Sequence, residues 1–175
     1  VMINPDGTLT INPHAYSSLN AGANEVIAYS YDVVDSVGDS TQQTISFTIT
    51  GADDAPTISG MTIGSAFEDM NVVNGNLLAS GSLSIMDPDE GEDIFQAETI
   101  EGQYGSLTIN AEGDWTYTAD NNQDVIQDLT AGELLTESIT VYSADGTPRS
   151  IALEINGTDE SAVPSDGSSS LSLNV

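Results

Sequence analysis

Apolar and polar residues alternate along this chain in short runs. Val26-Ile27-Ala28-Tyr29-Ser30-Tyr31-Asp32-Val33 and Thr44-Ile45-Ser46-Phe47-Thr48-Ile49 are two such runs in the first third. Ser82-Leu83-Ser84-Ile85, Ser106-Leu107-Thr108-Ile109, Trp115-Thr116-Tyr117-Thr118, Ser138-Ile139-Thr140-Val141-Tyr142 and Ile151-Ala152-Leu153-Glu154-Ile155 follow. A period of two puts one face of a strand on a core and the other in water. Ala111-Glu112-Gly113-Asp114 and Asp145-Gly146 read as hairpin turns between them. Only Asp124 to Leu129 reads as helical, about one turn. Short strands separated by turns at this spacing predict an all-β chain folded as β-sandwich modules.

The pattern repeats. Ile3-Asn4-Pro5-Asp6-Gly7-Thr8-Leu9-Thr10-Ile11 aligns with Ile109-Asn110-Ala111-Glu112-Gly113-Asp114-Trp115-Thr116-Tyr117, an offset of 109 − 3 = 106. Leu19-Asn20-Ala21-Gly22 matches Leu129-Thr130-Ala131-Gly132, and Asp35 matches Asp145. Ile49-Thr50-Gly51-Ala52-Asp53-Asp54 matches Ile155-Asn156-Gly157-Thr158-Asp159-Glu160, again 155 − 49 = 106. Order and offset agree, as a tandem repeat requires. Residues 57–160 then form one complete sandwich. Residues 1–56 form the back half of a preceding one, ending in an Asp-rich linker. Residues 161–175 form a Ser-rich tail or linker. The opening Val1-Met2-Ile3-Asn4-Pro5 does not read as a signal peptide but as the middle of something longer. Half a sandwich leaves open sheet edges and half a core, so the first part is expected to be poorly ordered or completed by another chain.

Charge then narrows the function. The 175 residues hold 28 Asp and Glu against one cation, Arg149, for a net charge of −27. Disordered acidic chains lack β-branched and aromatic residues, whereas this one is rich in Ile, Val and Thr and has 6 Tyr. A folded chain this acidic must offset strong self-repulsion through high external salt or bound divalent cations. Nucleic acid is excluded as a partner, because nothing neutralises phosphates. There is no cysteine to form a disulfide, which fits a bacterial protein exported unfolded, or a cytosolic one. No apolar run is long enough for membrane insertion.

The residues also resemble a family. Asn76-Leu77-Leu78-Ala79-Ser80-Gly81-Ser82-Leu83, Met86-Asp87-Pro88-Asp89-Glu90-Gly91-Glu92, Gly102-Gln103-Tyr104-Gly105 through Gly113-Asp114-Trp115-Thr116-Tyr117, Ala144-Asp145-Gly146-Thr147 and the Asp-rich linker together look like the VCBS repeat of large bacterial repeats-in-toxin (RTX) adhesins. The resemblance covers residues 3–160. It implies tandem immunoglobulin-like or cadherin-like sandwiches, export by type I secretion to the extracellular, outer cell surface, and a role in adhesion and biofilm formation. Gly157-Thr158-Asp159-Glu160-Ser161-Ala162 departs from it by lacking the Asp-x-Pro ending that Asp53-Asp54-Ala55-Pro56 has. The glycine-rich calcium nonapeptides of the toxin family are absent from the sequence.

Ca²⁺ takes six to eight oxygen ligands in flexible geometry. The expected ligands gather around the first linker: Asp53 and Asp54 in it, Glu68 and Asp69 one predicted strand later, and Asp87, Asp89 and Asp93 in the loop 86–94. Asp87-Pro88-Asp89 puts two carboxylates on one side of an extended segment. Asp35 and Asp39 are expected in a loop facing the same junction. The set resembles the cadherin scheme, with Asp54 as linker acid, Glu68 as the acidic segment and Asp87 with Asp89 as the loop. The alternative for any one acid is a solvated surface group. An EF-hand is a poor match. Asp87, Asp89, Gly91 and Asp93 have its early spacing, but Glu92 stands where that loop needs glycine. The expected function is a non-catalytic, calcium-rigidified spacer whose partners are neighbouring repeats and Ca²⁺.

Other sites read less well. His14 is the sole histidine, so a Ser/His/Asp triad would have to use it, and histidine-based zinc sites are excluded. Paired carboxylates carry little information among 28 acids. Trp115 and Tyr117 share a face with Tyr104 nearby, so a carbohydrate- or protein-ligand-binding module is the second reading. It requires an exposed Trp115, whereas the spacer requires a buried one. The tail 161–175 is the only candidate for a release region.

Overall fold

The computed structural model describes residues 2–4, 6 and 8–159; the tail 161–175 lies outside them. Two short strands, β1 (Met2–Ile3) and β2 (Leu9–Thr10), pair antiparallel and lead into a 3₁₀ turn, Pro13–Tyr16. A long antiparallel ribbon follows, β3 (Asn24–Val34) with β4 (Ser40–Thr50). The linker then enters β5 (Thr57–Gly60), β6 (Ile63–Phe67), β7 (Asn76–Met86), β8 (Glu98–Glu101), β9 (Gly105–Ile109) and β10 (Asp114–Asp120). One helical turn, α1 (Asp124–Gln127), precedes β11 (Leu134–Tyr142) and β12 (Pro148–Asn156).

From β5 onward the strands form two sheets. A five-stranded sheet has the order β5-β7-β10-β9-β8 and a three-stranded sheet the order β11-β12-β6. All pairings are antiparallel except that of β6 with β12, which is parallel. The inner faces meet in one core, with Leu77, Leu83, Leu107, Ile109, Trp115 and Tyr117 against Ile139, Val141, Ile151, Leu153 and Ile155. Each such side chain adds about 1.5–3 kcal/mol of burial free energy. This is the all-β sandwich that the alternation predicts.

Within the sandwich three strands, β5, β6 and β8, escape the alternation reading, and β6 shows why. Its inward residues are the small Gly64 and Ala66, while Ile63 and Phe67 are exposed. The inversion makes room for Trp115. A side chain on Gly64 would come within 2.8 Å of the indole, and one on Gly81 of β7 would also collide with it. The ring thus lies between two glycines, 1% exposed, and its Nε1 donates to the Met61 carbonyl at 3.0 Å. Trp115 and Tyr117 are core residues, so this face offers no sugar-stacking platform.

The two ribbons share one register. Asn24 pairs with Thr50 as Leu134 pairs with Asn156, and Tyr29 with Ile45 as Ile139 with Ile151. Gly51 and Gly157 have the same tight role, since a Cβ on either would strike backbone carbonyls of the preceding loop, those of Leu19 and Asn20 or that of Thr130. Burial differs. Tyr29, Tyr31 and Ile45 are 36–40% exposed, whereas Ile139, Val141 and Ile151 are at most 4% exposed.

Candidate cation site at the linker

The site is built from a loop, a linker and one side chain from the first ribbon's entry. The loop leaves β7 at Met86 and turns back at once. The Asp87 Oδ1 accepts from the Asp89 backbone N–H at 3.0 Å. Its far end is tied down by the Ala144 N–H to the Ile94 carbonyl and the Phe95 N–H to the Ala111 carbonyl. That fold-back buries the Asp89 side chain to 2% exposure. The Asp89 Oδ2 accepts the linker's Asp54 N–H at 2.8 Å. Carboxylate oxygens of Asp53, Asp89 and Glu92 lie within 4.8 Å of one another. Among the described residues, the buried oxygens Asp89 Oδ1 and Asp87 Oδ2 find no hydrogen-bond partner. Asn20, half-buried, donates its amide to Glu92 Oε1 at 2.8 Å and to the Glu90 carbonyl at 3.1 Å.

The electrostatics oppose leaving such a cluster bare. Carboxylates closer than 4.8 Å repel by about 1–4 kcal/mol per pair, depending on screening. A buried carboxylate oxygen without a donor adds a desolvation cost. Donors that are all oxygen and mostly carboxylate suit a hard cation of the Ca²⁺ type. Asp53, Asp87, Asp89 and Glu92 are the residues that would hold it.

The structure disperses the remaining expected ligands. Asp54 joins through its backbone N–H. Asp93 is exposed in the same loop but outside the cluster. Glu68 and Asp69 lie at the opposite end of the sandwich. Because β6 runs parallel to β12, the chain leaves β6 beside Asn156, whose carbonyl takes the Glu68 N–H at 3.0 Å. Glu68 is fully buried; its Oε1 accepts the Thr158 N–H at 2.7 Å, and its Oε2 has no partner among the described residues. Asp69 Oδ1 accepts from Asn121 at 2.7 Å and Gln127 at 3.2 Å. Asp35 and Asp39 sit at the tip of the β3–β4 ribbon, whose other end is the linker end. Eleven residues of strand separate the two by about 35 Å. Asp35 Oδ1 there accepts the N–H groups of Val37 and Asp39, both at 2.9 Å. Two residues of the site stand outside the acid pattern that the sequence displays. Glu92 stands out in the sequence only as a misfit to the EF-hand spacing, and neutral Asn20 carries no charge signal.

Two other features lie outside this cluster. His14 lines a cleft of about 520 Å³ with Ile11, Tyr16 and Ile49, beside the linker. The Tyr117 hydroxyl donates to the Glu137 carboxylate, which also accepts the Gln103 N–H at 2.6 Å. Burial first, and that bond second, push the Tyr117 phenol far above the ordinary tyrosine value.

Residues 53–157 match the family model of the bacterial cadherin-like domain. The chain belongs to this family. The bacterial cadherin-like match begins at Asp53, the first acid of the cluster, and ends at Gly157. No curated protein matches the sequence. Among solved structures, the human desmocollin-1 ectodomain is similar at 16% identity and TM-score 0.36, over 81% of this chain and 24% of that one. A 1.5-MDa bacterial ice-binding adhesin is similar at 20% identity and TM-score 0.31, over 78% of this chain and 42% of that one. A Ca²⁺-stabilised, ice-binding adhesin of an Antarctic bacterium is similar at 18% and 0.29, over 77% of this chain and 32% of that one. The bacterial cadherin-like chain thus spans less than half the length of each. Among its described residues, no helix is long and apolar enough to cross a membrane.

Proposed function

We propose that this chain is a non-catalytic extender piece of a bacterial cell-surface adhesin, of the VCBS type found in RTX adhesins, in which Ca²⁺ locks successive sandwiches into a rod. The observation that carries the reading is the meeting of Asp53, Asp89 and Glu92 beside a buried, unpartnered Asp89 oxygen. Family membership and the net charge of −27 support it. Residues 1–56 are then the back half of one module and 57–160 the next, as the shared register and the paired Gly51 and Gly157 suggest. A cation between linker and loop offsets the repulsion among their carboxylates and stabilises the junction, because binding energy becomes folding energy. Many such copies outside the cell hold a binding tip away from the surface, which serves adhesion and biofilm formation.

Thermal unfolding tests the reading in millimolar Ca²⁺, in Mg²⁺ and in excess chelator. A Ca²⁺-specific rise of more than about 10 °C is expected, which for a module of this size is roughly 2 kcal/mol. Identical melting in Ca²⁺ and chelator would sink the cation mechanism.

A further inference from the structure

We infer that Asn20 is a cation-independent clasp between the two modules, able to hold the junction whether or not an ion is bound. Its amide is donated across the linker to Glu92 Oε1 and the Glu90 carbonyl, 72 and 70 residues away. The clasp has a fixed base. The Gly22 N–H bonds to the Gly51 carbonyl at 3.1 Å and the Gly51 N–H to the Ala23 carbonyl at 2.8 Å. The Leu19 and Asn20 carbonyls pack so close on Gly51 that no Cβ fits there. Asn20 is therefore anchored to the start of the linker while its side chain reaches the acid loop of the next module.

The chemistry of the side chain explains the choice. A carboxamide carries donors on one end and an acceptor on the other, without charge. With the donor end outward it bonds the Glu92 carboxylate directly. Turned about its last torsion it presents Oδ1, an oxygen suited to a hard cation. An aspartate could do only the second, and would repel Glu92 in the absence of an ion. Thr130, the repeat partner of Asn20, has no carbonyl in its side chain to offer. The second use of Asn20 rests on the cation reading above; the clasp does not.

The test uses the full chain, which has no cysteine of its own. Spin labels on Gln42→Cys and Thr116→Cys, both exposed, report the distance across the junction by pulsed electron paramagnetic resonance. The parent should give a narrow distribution in chelator. Asn20→Ala should lose it there, with Trp115 fluorescence and the melting transition of the core unchanged. Asn20→Asp should lose it in chelator, regain it in Ca²⁺ and bind Ca²⁺ about tenfold more tightly, as an added charged ligand would give. A narrow distribution for Asn20→Ala in chelator would overturn the clasp. Failure of Ca²⁺ to restore Asn20→Asp would overturn the second use of the side chain. If Ca²⁺ leaves the parent's melting temperature unchanged while Asn20→Ala still broadens the distribution in chelator, the cation reading fails and the clasp stands.

Discussion

Asp89 and Glu68 occupy opposite ends of the sandwich formed by β5 to β12 and do the same local job. Each is almost wholly buried, each accepts one linker N–H, from Asp54 or from Thr158, and each keeps one oxygen without a partner among the described residues. Their company differs. Asp89 has Asp53 and Glu92 within 4.8 Å. Glu68 has Asp69, whose carboxylate is engaged by the side chains of Asn121 and Gln127. A buried acid therefore marks where a linker is captured. It makes a candidate cation site only where further carboxylates converge on it, and among the described residues that happens at the Asp89 end alone.

The widest break in this comparison is to loosen the body from which both ends hang. Trp115 joins β10 to β6 through Gly64 and to Met61 through Nε1, and β6 leads directly to Glu68. Trp115→Ala should cost about 3–5 kcal/mol in urea unfolding. Hydrogen exchange should show the Thr158 and Asp54 amides losing protection together. Protection lost at one end only would mean that the ends are independent.

Asp89→Asn separates the two ends more finely. The amide keeps an oxygen for the Asp54 N–H but removes a buried charge next to like charges. Without metal the variant should be more stable than the parent by about 1–3 kcal/mol. In calorimetric titration it should lose the Ca²⁺ response. A variant that still melts higher in Ca²⁺ would move the cation away from this cluster. Glu68→Gln is the matching change at the other end. It should stabilise by about 1 kcal/mol and leave the Ca²⁺ response intact. A loss of stability instead would show that Glu68 has a positive partner in solution, and the two ends would then be alike.

How much of this was legible depended on distance along the chain. The long alternating strands were readable because each carries its own period, as in β10 and β12. β6 was not, because its inward positions are Gly64 and Ala66, chosen by an indole some fifty residues on. Asp53, Asp87 and Asp89 fall near one another because the linker and a local turn place them. Glu68 lies at the other end because β6 runs parallel to β12, which nothing local in the sequence announces. Asp35 and Asp39 lie away from the linker because the ribbon is eleven residues long, and its register sets which end its tip occupies. Asn20 was invisible to a search for charge, and only the docked loop reveals its role.

The smallest expected effect lies in the turn that supports the Asp89 end. The Ala144 N–H and the Gln96 amide tie this β11–β12 turn to the end of the acid loop, through the Ile94 and Ser143 carbonyls. Within the turn, Asp145 accepts from the Ser143 hydroxyl, from the Thr147 hydroxyl at 2.7 Å and from the Thr147 N–H at 3.1 Å. Partial burial alone would raise its pKa, but these bonds prevail and hold the carboxyl below its ordinary value of 3.8. The group binds its proton less readily folded than unfolded. Its stabilisation is therefore complete above the unfolded value and is lost as pH falls through the lower folded one. Because the side chain is partly solvated, the contribution should stay below about 1 kcal/mol. Asp145→Asn should flatten the fall in stability below about pH 4 by that amount. In chelator, the amides of residues 87–94 should exchange faster in this variant, while those around Glu68 do not change. Equal loosening at both ends would mean that the turn supports the whole sandwich and not the acid loop.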